Sequence, residues 1–170
     1  MRRPGIYIVL IAAMVFGGCS KPDEIVAFEI GDRAPEVHLD YIQGGPVSLA
    51  KNMGGKVHIV EFWATWCAPC KESAPHLSSL QRTYRDQGLV VLGISDEDES
   101  VVKPYMAEYG ADMAYAVALD PEGETQKKYL EGYGITGIPW AFLIDRDGKV
   151  AWVGHPMADE LEVELKALLN

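Results

Sequence analysis

The segment Lys56 to Lys71 reads KVHIVEFWATWCAPCK. It is an apolar run rich in β-branched and aromatic residues that breaks abruptly into Cys67-Ala68-Pro69-Cys70. Such a run predicts a central strand over Lys56 to Trp63, covered on both faces. The next stretch predicts a helix over Cys67 to Arg85: Leu77, Leu80 and Tyr84 recur at helical intervals, and Gly88 ends the unit. Pro69 falls in the first turn, where a missing N–H costs little, whereas Pro75 lies inside the helix and should kink it. A second buried strand, GLVVLGIS over Gly88 to Ser95, completes a strand-helix-strand unit whose parallel crossover is right-handed. This unit commits the chain to an α/β fold and sets two cysteines at the junction of strand and helix.

A cysteine at a helix N-terminus lies beside unpaired backbone N–H groups and the positive end of the helix dipole, and both favour thiolate over thiol. Cys67 at the cap is then the exposed attacking sulfur. Cys70, one turn on, faces it as the resolving thiol, and the pair can close as a disulfide. Resolution needs a proton acceptor for Cys70. Glu61 lies six residues before Cys67 in a strand otherwise too apolar for a charge, so its carboxyl should be desolvated, with a raised pKa, and it is the candidate proton shuttle. A CxxC can also be half of a zinc site. Tetrahedral zinc needs four ligands, however, and His38, His58, His76 and His155 are scattered without ligand spacing. No cofactor beyond a redox-active Cys67–Cys70 pair is expected.

The first residues are of a different kind. Met1-Arg2-Arg3 is basic, Ile6 to Phe16 is unbroken apolar, and Gly17-Gly18 precedes Cys19. The apolar run is too short for a permanent membrane span and matches the core of an export signal. We read residues 1–18 as a signal peptide, 19–29 as a polar spacer and 30–170 as one domain. Phe16 to Cys19 resembles the bacterial lipobox, which implies lipid on Cys19, a membrane tether, and a domain facing the periplasm or another extracytoplasmic space. Removing residues 1–18 takes away two arginines and no acid, moving the formal charge from −10 to −12. A charge of that sign, with no basic cluster, excludes nucleic acid as a partner. With Cys19 lipidated, only Cys67 and Cys70 remain as thiols, so disulfide stapling is not how this domain is held together.

Val37, Leu39 and Tyr41 alternate before a Gly44-Gly45-Pro46 turn, and Val47 and Leu49 alternate after it, predicting an N-terminal β-hairpin. Val101 to Tyr109 predicts a helix, Tyr115 to Leu119 a strand, and Glu122 to Leu130 a helix. Ala141 to Gly154 predicts a hairpin turning at Arg146-Asp147-Gly148, and Asp159 to Leu169 a closing amphipathic helix. The acidic run Asp96 to Glu99 reads as a solvated loop. Pro139, after Gly137-Ile138 and before a strand, marks a turn whose X-Pro bond can be cis or trans on the sequence alone. Trp63 reads as core, and Trp66 as either core or docking surface.

Trp66-Cys67-Ala68-Pro69-Cys70 together with Gly137-Ile138-Pro139, the entry GDRAPEVHL and the segment GIPWAFLIDRDGKV resemble the TlpA/ResA-like group of thioredoxin-fold proteins, over roughly Ile30 to Asn170. The resemblance implies a thioredoxin-like fold: a central mixed β-sheet with flanking helices, an N-terminal β-hairpin and a strand-helix insertion between Ser95 and Pro139. It implies that Cys67 is the nucleophile and Cys70 the resolving thiol. Pro139 would be a cis-proline facing the disulfide, and Trp66, Ala68, Pro69, Ile138 and Pro139 would meet the substrate. It further implies a thiol-disulfide oxidoreductase that reduces exported proteins, with cytochrome c maturation as one setting, fed by a membrane electron donor. Glu61 matches the position of the buried acid of thioredoxin, where many members of the group have Asn. Two departures bear on the substrate: the glutamate that ResA-like members place three residues after the second cysteine is here Ser73, with Glu72 one position earlier, and the residue after the cis-proline, often Thr, is here Trp140. The substrate is therefore left open. A peroxiredoxin-like peroxidase is one alternative, but it needs Thr-x-x-Cys, and Ala64 occupies that threonine position. A copper-binding chaperone is another, but it needs a wider cysteine spacing and a distant histidine.

Overall fold

The computed structural model describes residues 27–47 and 55–170. Six strands form its centre: β1 (Asp40–Gln43), β2 (Val57–Phe62), β3 (Leu89–Ser95), β4 (Ala116–Leu119), β5 (Trp140–Ile144) and β6 (Val150–Gly154). They lie side by side in the order β1-β4-β3-β2-β5-β6. β2, β3 and β4 run parallel, while β1, β5 and β6 pair antiparallel to their neighbours, giving the mixed sheet expected. The four helices are α1 (Ala68–Tyr84), α2 (Glu99–Tyr109), α3 (Glu124–Gly132) and α4 (Asp159–Leu169).

The pleat of β2 sorts its residues between two cores, because successive side chains point to opposite faces. Val57, Ile59 and Trp63 join α1, α2 and α4 residues such as Leu77, Val102 and Leu161 on one face. Val60 and Phe62 meet Tyr129 and Leu130 of α3, together with Ala34, Val37 and Leu39, on the other. Glu61 shares the α1 side with Ile59 and Trp63. A fully buried aliphatic or aromatic side chain contributes about 1.5–3 kcal/mol. A sheet apolar on both faces therefore fixes β2 firmly, and with it the position of whatever β2 carries.

The first arm of the N-terminal hairpin forms as β1, which pairs antiparallel with β4, Asp40 opposite Leu119. Gly44 explains the path: its φ is +83°, and a Cβ there would come within 2.8 Å of the Ala116 backbone, so the chain turns across β4 where only glycine fits. The second arm at Val47 to Leu49 runs into residues outside those described. Farther back, Phe28 N donates to the Gly132 carbonyl at 2.8 Å and the Phe28 ring stacks on Tyr133, fastening the chain to the end of α3. The expected signal peptide, Cys19 and most of the expected spacer lie outside the described residues.

The other predicted elements appear with ends shifted by one or two residues. α1 continues through Pro75 without interruption. Arg146, in the β5–β6 turn, donates to carbonyls of Gly55 and Leu168, joining that turn to the start of β2 and the end of α4.

Candidate active site

Cys67 is the N-cap of α1, in extended conformation, and its Sγ accepts from Cys70 N at 3.3 Å. The two sulfurs are joined as a disulfide, with Cα atoms 5.3 Å apart. The Cys67 N–H donates to the Ala64 carbonyl, closing the turn between β2 and α1. Cys67 is not exposed as the sequence suggests: it is 3% accessible, and its Sγ lies 3.9 Å from the Ile138 carbonyl oxygen. The loop ending in Pro139 covers it. The Ile138–Pro139 bond is cis, which resolves the alternative left by the sequence.

The residues expected around the sulfurs divide into two sets. Trp66, at 71% accessible, and the exposed Ala68 and Pro69 form one wall. Half-buried Ile138 and buried Pro139 form the other. Two concave surfaces meet at this line: one runs from Trp66 past Leu130, Ile135 and Gly137 to Ile138, the other from Pro69 past Tyr133 and Trp140 to His155. Trp66 thus belongs to the surface, while Trp63 is core.

Behind the disulfide lies Glu61. The carboxyl is fully buried at the middle of β2, and burial pushes its pKa up to about 8, partly offset by the nearby hydroxyls of Ser73 and Tyr115. Ser73 Oγ donates to Glu61 Oε1 at 3.3 Å and to the Cys70 carbonyl at 3.0 Å. A single hydroxyl on α1 therefore links the acid to the cysteine's own backbone. The sequence marks Ser73 only as a departure from the group's pattern and assigns it no role, although its spacing of three from Cys70 puts both on one helix face.

Glu97 was missed as well. Its carboxylate accepts from Thr65 N at 2.6 Å, from Thr65 Oγ1 at 2.7 Å and from Ser95 Oγ at 3.1 Å. It thereby fixes the turn two residues before Cys67. Asp98 caps α2 by accepting from Ser100 N, so within an acidic run that is otherwise exposed, as expected, Glu97 and Asp98 act as specific anchors. Nothing in a run of four acids distinguishes Glu97 before the fold brings Thr65 to it. Among the described residues, no group of three or more His, Cys, Asp or Glu is arranged to hold a metal ion.

The chain is similar to known proteins. Thiol-disulfide oxidoreductase ResA of Bacillus cereus (strain ATCC 10987 / NRS 248) is 33% identical over 170 residues, covering 96% of this chain and 92% of the relative. ResA of Bacillus subtilis (strain 168) is 31% identical, covering 89% and 82%. Among solved structures, a thiol:disulfide interchange protein DsbE from Chlorobium tepidum superposes with a TM-score of 0.73 at 31% identity, covering 85% of this chain and 100% of the other. The thioredoxin domain of a thiol-disulfide oxidoreductase from Bacteroides vulgatus gives 0.71 at 26%, with the same coverage of both chains. The strand order, and a disulfide able to open at the mouth of the longest helix, define the class as thiol-disulfide oxidoreductases of thioredoxin-like fold. The chain belongs to the AhpC/TSA family, whose model matches residues 30–153.

Proposed function

We propose that this oxidoreductase is tethered to a bacterial membrane by lipid on Cys19, faces an extracytoplasmic space, and reduces disulfides in exported proteins. Cys67 attacks the substrate disulfide and Cys70 resolves the mixed disulfide, while Glu61 takes the Cys70 proton. Trp66, Ala68, Pro69, Ile138 and Pro139 hold the substrate polypeptide. The redox equivalents reside in the two sulfurs alone, and a membrane electron donor restores the dithiol. Maturation of c-type cytochromes is the setting that the likeness to ResA and DsbE proteins favours.

One observation carries this reading: Cys70 has a buried carboxyl behind it, linked through Ser73, while Cys67 stands at the groove. Once it has lost its proton, the Glu61 carboxylate beside Cys70 disfavours a second negative charge there. That raises the free energy of the reduced, thiolate-bearing form and makes the pair a better electron donor.

Trapping tests it. Under redox cycling, Cys70→Ser should accumulate covalent complexes that thiol reductant releases, and Cys67→Ser should accumulate none; absence of any Cys70→Ser complex defeats the reading. The Cys67–Cys70 potential should lie toward the reducing end of the roughly −270 to −120 mV covered by thioredoxin-fold proteins. Palmitate labelling of the full chain that Cys19→Ala abolishes would establish the tether.

A further inference from the structure

Three polar atoms beside the disulfide are buried without a hydrogen-bond partner among the described residues: Glu61 Oε2, the Tyr115 hydroxyl and Trp63 Nε1. An unmade hydrogen bond at a buried polar atom costs about 1–3 kcal/mol. Such atoms are expected to be few, and each calls for an explanation. These three share one face of the sheet.

Gly93 of β3 pairs with Glu61 across the ladder. A Cβ at Gly93 would lie 3.0 Å from Tyr115 Cε2 and 3.1 Å from Trp63 Nε1, so glycine there lets both aromatic rings close over the strand next to the carboxyl. Tyr115 is not free to move away. Ser78 of α1 accepts from Ala114 N at 2.8 Å and donates to the Asp112 carbonyl, while Gln43 Nε2 donates to the carbonyls of Met113 and Tyr115. Trp63 is held by its own strand and by the Tyr105 ring, 5.6 Å away.

Two of the unpartnered groups, the phenol O–H and the indole N–H, are donors, and the third is a carboxyl oxygen. The set is complementary to an ionised Glu61, the state the carboxyl must occupy to receive a proton. We infer that Tyr115 and Trp63 are positioning residues that receive Glu61 in its ionised form, donating to Oε2 while Ser73 donates to Oε1. This deepens the proposed function and rests on Glu61 as the proton acceptor. In the step itself, the Cys67 thiolate forms a bond to one substrate sulfur and the other leaves as thiolate. The Cys70 proton then passes to Glu61. The Cys70 sulfur bonds to Cys67, breaking the Cys67–substrate bond and releasing the second thiolate. The substrate gains two electrons and the cysteine pair loses two.

Other groups face this site and must be counted in any titration. α1 presents Cys70, Ser73 and Lys71, whose ammonium lies 5.4 Å from the centre of the Tyr105 ring. α2 presents Tyr105 and Tyr109, and Asp112 and Glu97 bear on Tyr105 from the segments before β4 and after β3. The experiment therefore follows the Glu61 carboxyl directly, separately from these groups.

The test is ¹³C NMR titration of the Glu61 carboxyl in the reduced protein, with and without Tyr115→Phe. A hydrogen bond to a charged group contributes about 1.5–3 kcal/mol, equivalent to about 1–2 pH units. Loss of the Tyr115 donor should therefore raise the Glu61 midpoint by about one unit, and Trp63→Phe should raise it in the same direction. The pH midpoint for decay of the mixed disulfide should follow, and in a Glu61→Gln background Tyr115→Phe should leave that decay unchanged. A Glu61 midpoint moved by less than about 0.2 units, or a pH effect of Tyr115→Phe that persists without Glu61, would overturn the inference. The carboxyl titration needs no substrate, so it stands or falls separately from disulfide exchange. Wild-type protein that exchanges no disulfides overturns the proposed function instead.

Discussion

Ser73 Oγ stands 3.3 Å from Glu61 Oε1, so two positions at which this chain departs from the TlpA/ResA-like pattern are neighbours in space. The pattern has Asn on the strand and a glutamate on the helix; this chain has the acid on the strand and a small hydroxyl on the helix. The carboxyl reaches the back of Cys70 from β2 instead of α1.

If the two departures are one exchange, Ser73→Glu alone crowds two carboxyls into one buried space, where both cannot ionise. It should destabilise the oxidised protein by about 3–5 kcal/mol at neutral pH. Combining it with Glu61→Asn should recover at least half of that loss. Denaturant midpoints of the two single variants and the double variant measure the coupling, and simple additivity would show the positions to be independent.

Burial of Glu61 makes stability depend on pH in a defined sense. The folded oxidised protein keeps this proton up to about pH 8, whereas an unfolded chain releases it around the ordinary 4.5. Between those values the folded state binds the extra proton, so raising the pH lowers stability by about 1.4 kcal/mol per unit from this group, flattening above pH 8. Glu61→Gln should remove that slope. Urea midpoints at pH 5 and pH 8 should converge in the variant relative to wild type, and equal slopes in both proteins would contradict the buried, protonated carboxyl.

The Glu97 carboxylate holds both the amide and the hydroxyl of Thr65. Glu97→Ala should cost about 2 kcal/mol. It should also speed hydrogen exchange at the Thr65 amide by about tenfold or more, while amides within α4 keep their protection. Uniform acceleration throughout the domain would mean that Glu97 serves general stability and not the turn before Cys67.

Arg146 fastens the end of α4 to the start of β2 through a planar fork of N–H donors. Lysine keeps the charge and loses the fork. Arg146→Lys should therefore lower the unfolding midpoint by an amount equivalent to about 1–2 kcal/mol and increase exchange at the α4 C-terminus, with the rate of disulfide exchange unchanged. A large change in that rate would connect this distant turn to the site.

The strand-helix-strand frame was legible because β2 and β3 are continuous apolar runs and α1 repeats at helical spacing. Those patterns record burial directly. Glu61 was legible for the same reason, as a charge in a place that admits none. The pairing of β1 with β4 was not legible, because alternation reports a half-buried strand without saying what lies beside it. Gly44 and Ala116, far apart in the chain, decide that. Glu97, Tyr115 and Trp63 acquire their roles only when distant segments meet. The segment facing Cys67 came with the family resemblance, but how closely it covers the sulfur did not, since the contact is made by the Ile138 carbonyl, a group every residue possesses.

The contact of Phe28 with Gly132 and Tyr133 sets a geometric bound on the proposed tether. Tyr133 lines the concave surface that also contains Pro139. The chain therefore enters the domain beside its reactive mouth and not at the opposite pole. Phe28 lies nine positions after Cys19, and an extended chain spans at most roughly 3.3–3.6 Å per residue. A lipid on Cys19 would keep the disulfide within a few tens of ångströms of the bilayer. Substrates would then be met in a thin layer above the membrane, and the protein would act less as a diffusing reagent than as a fixed station past which newly exported chains must travel.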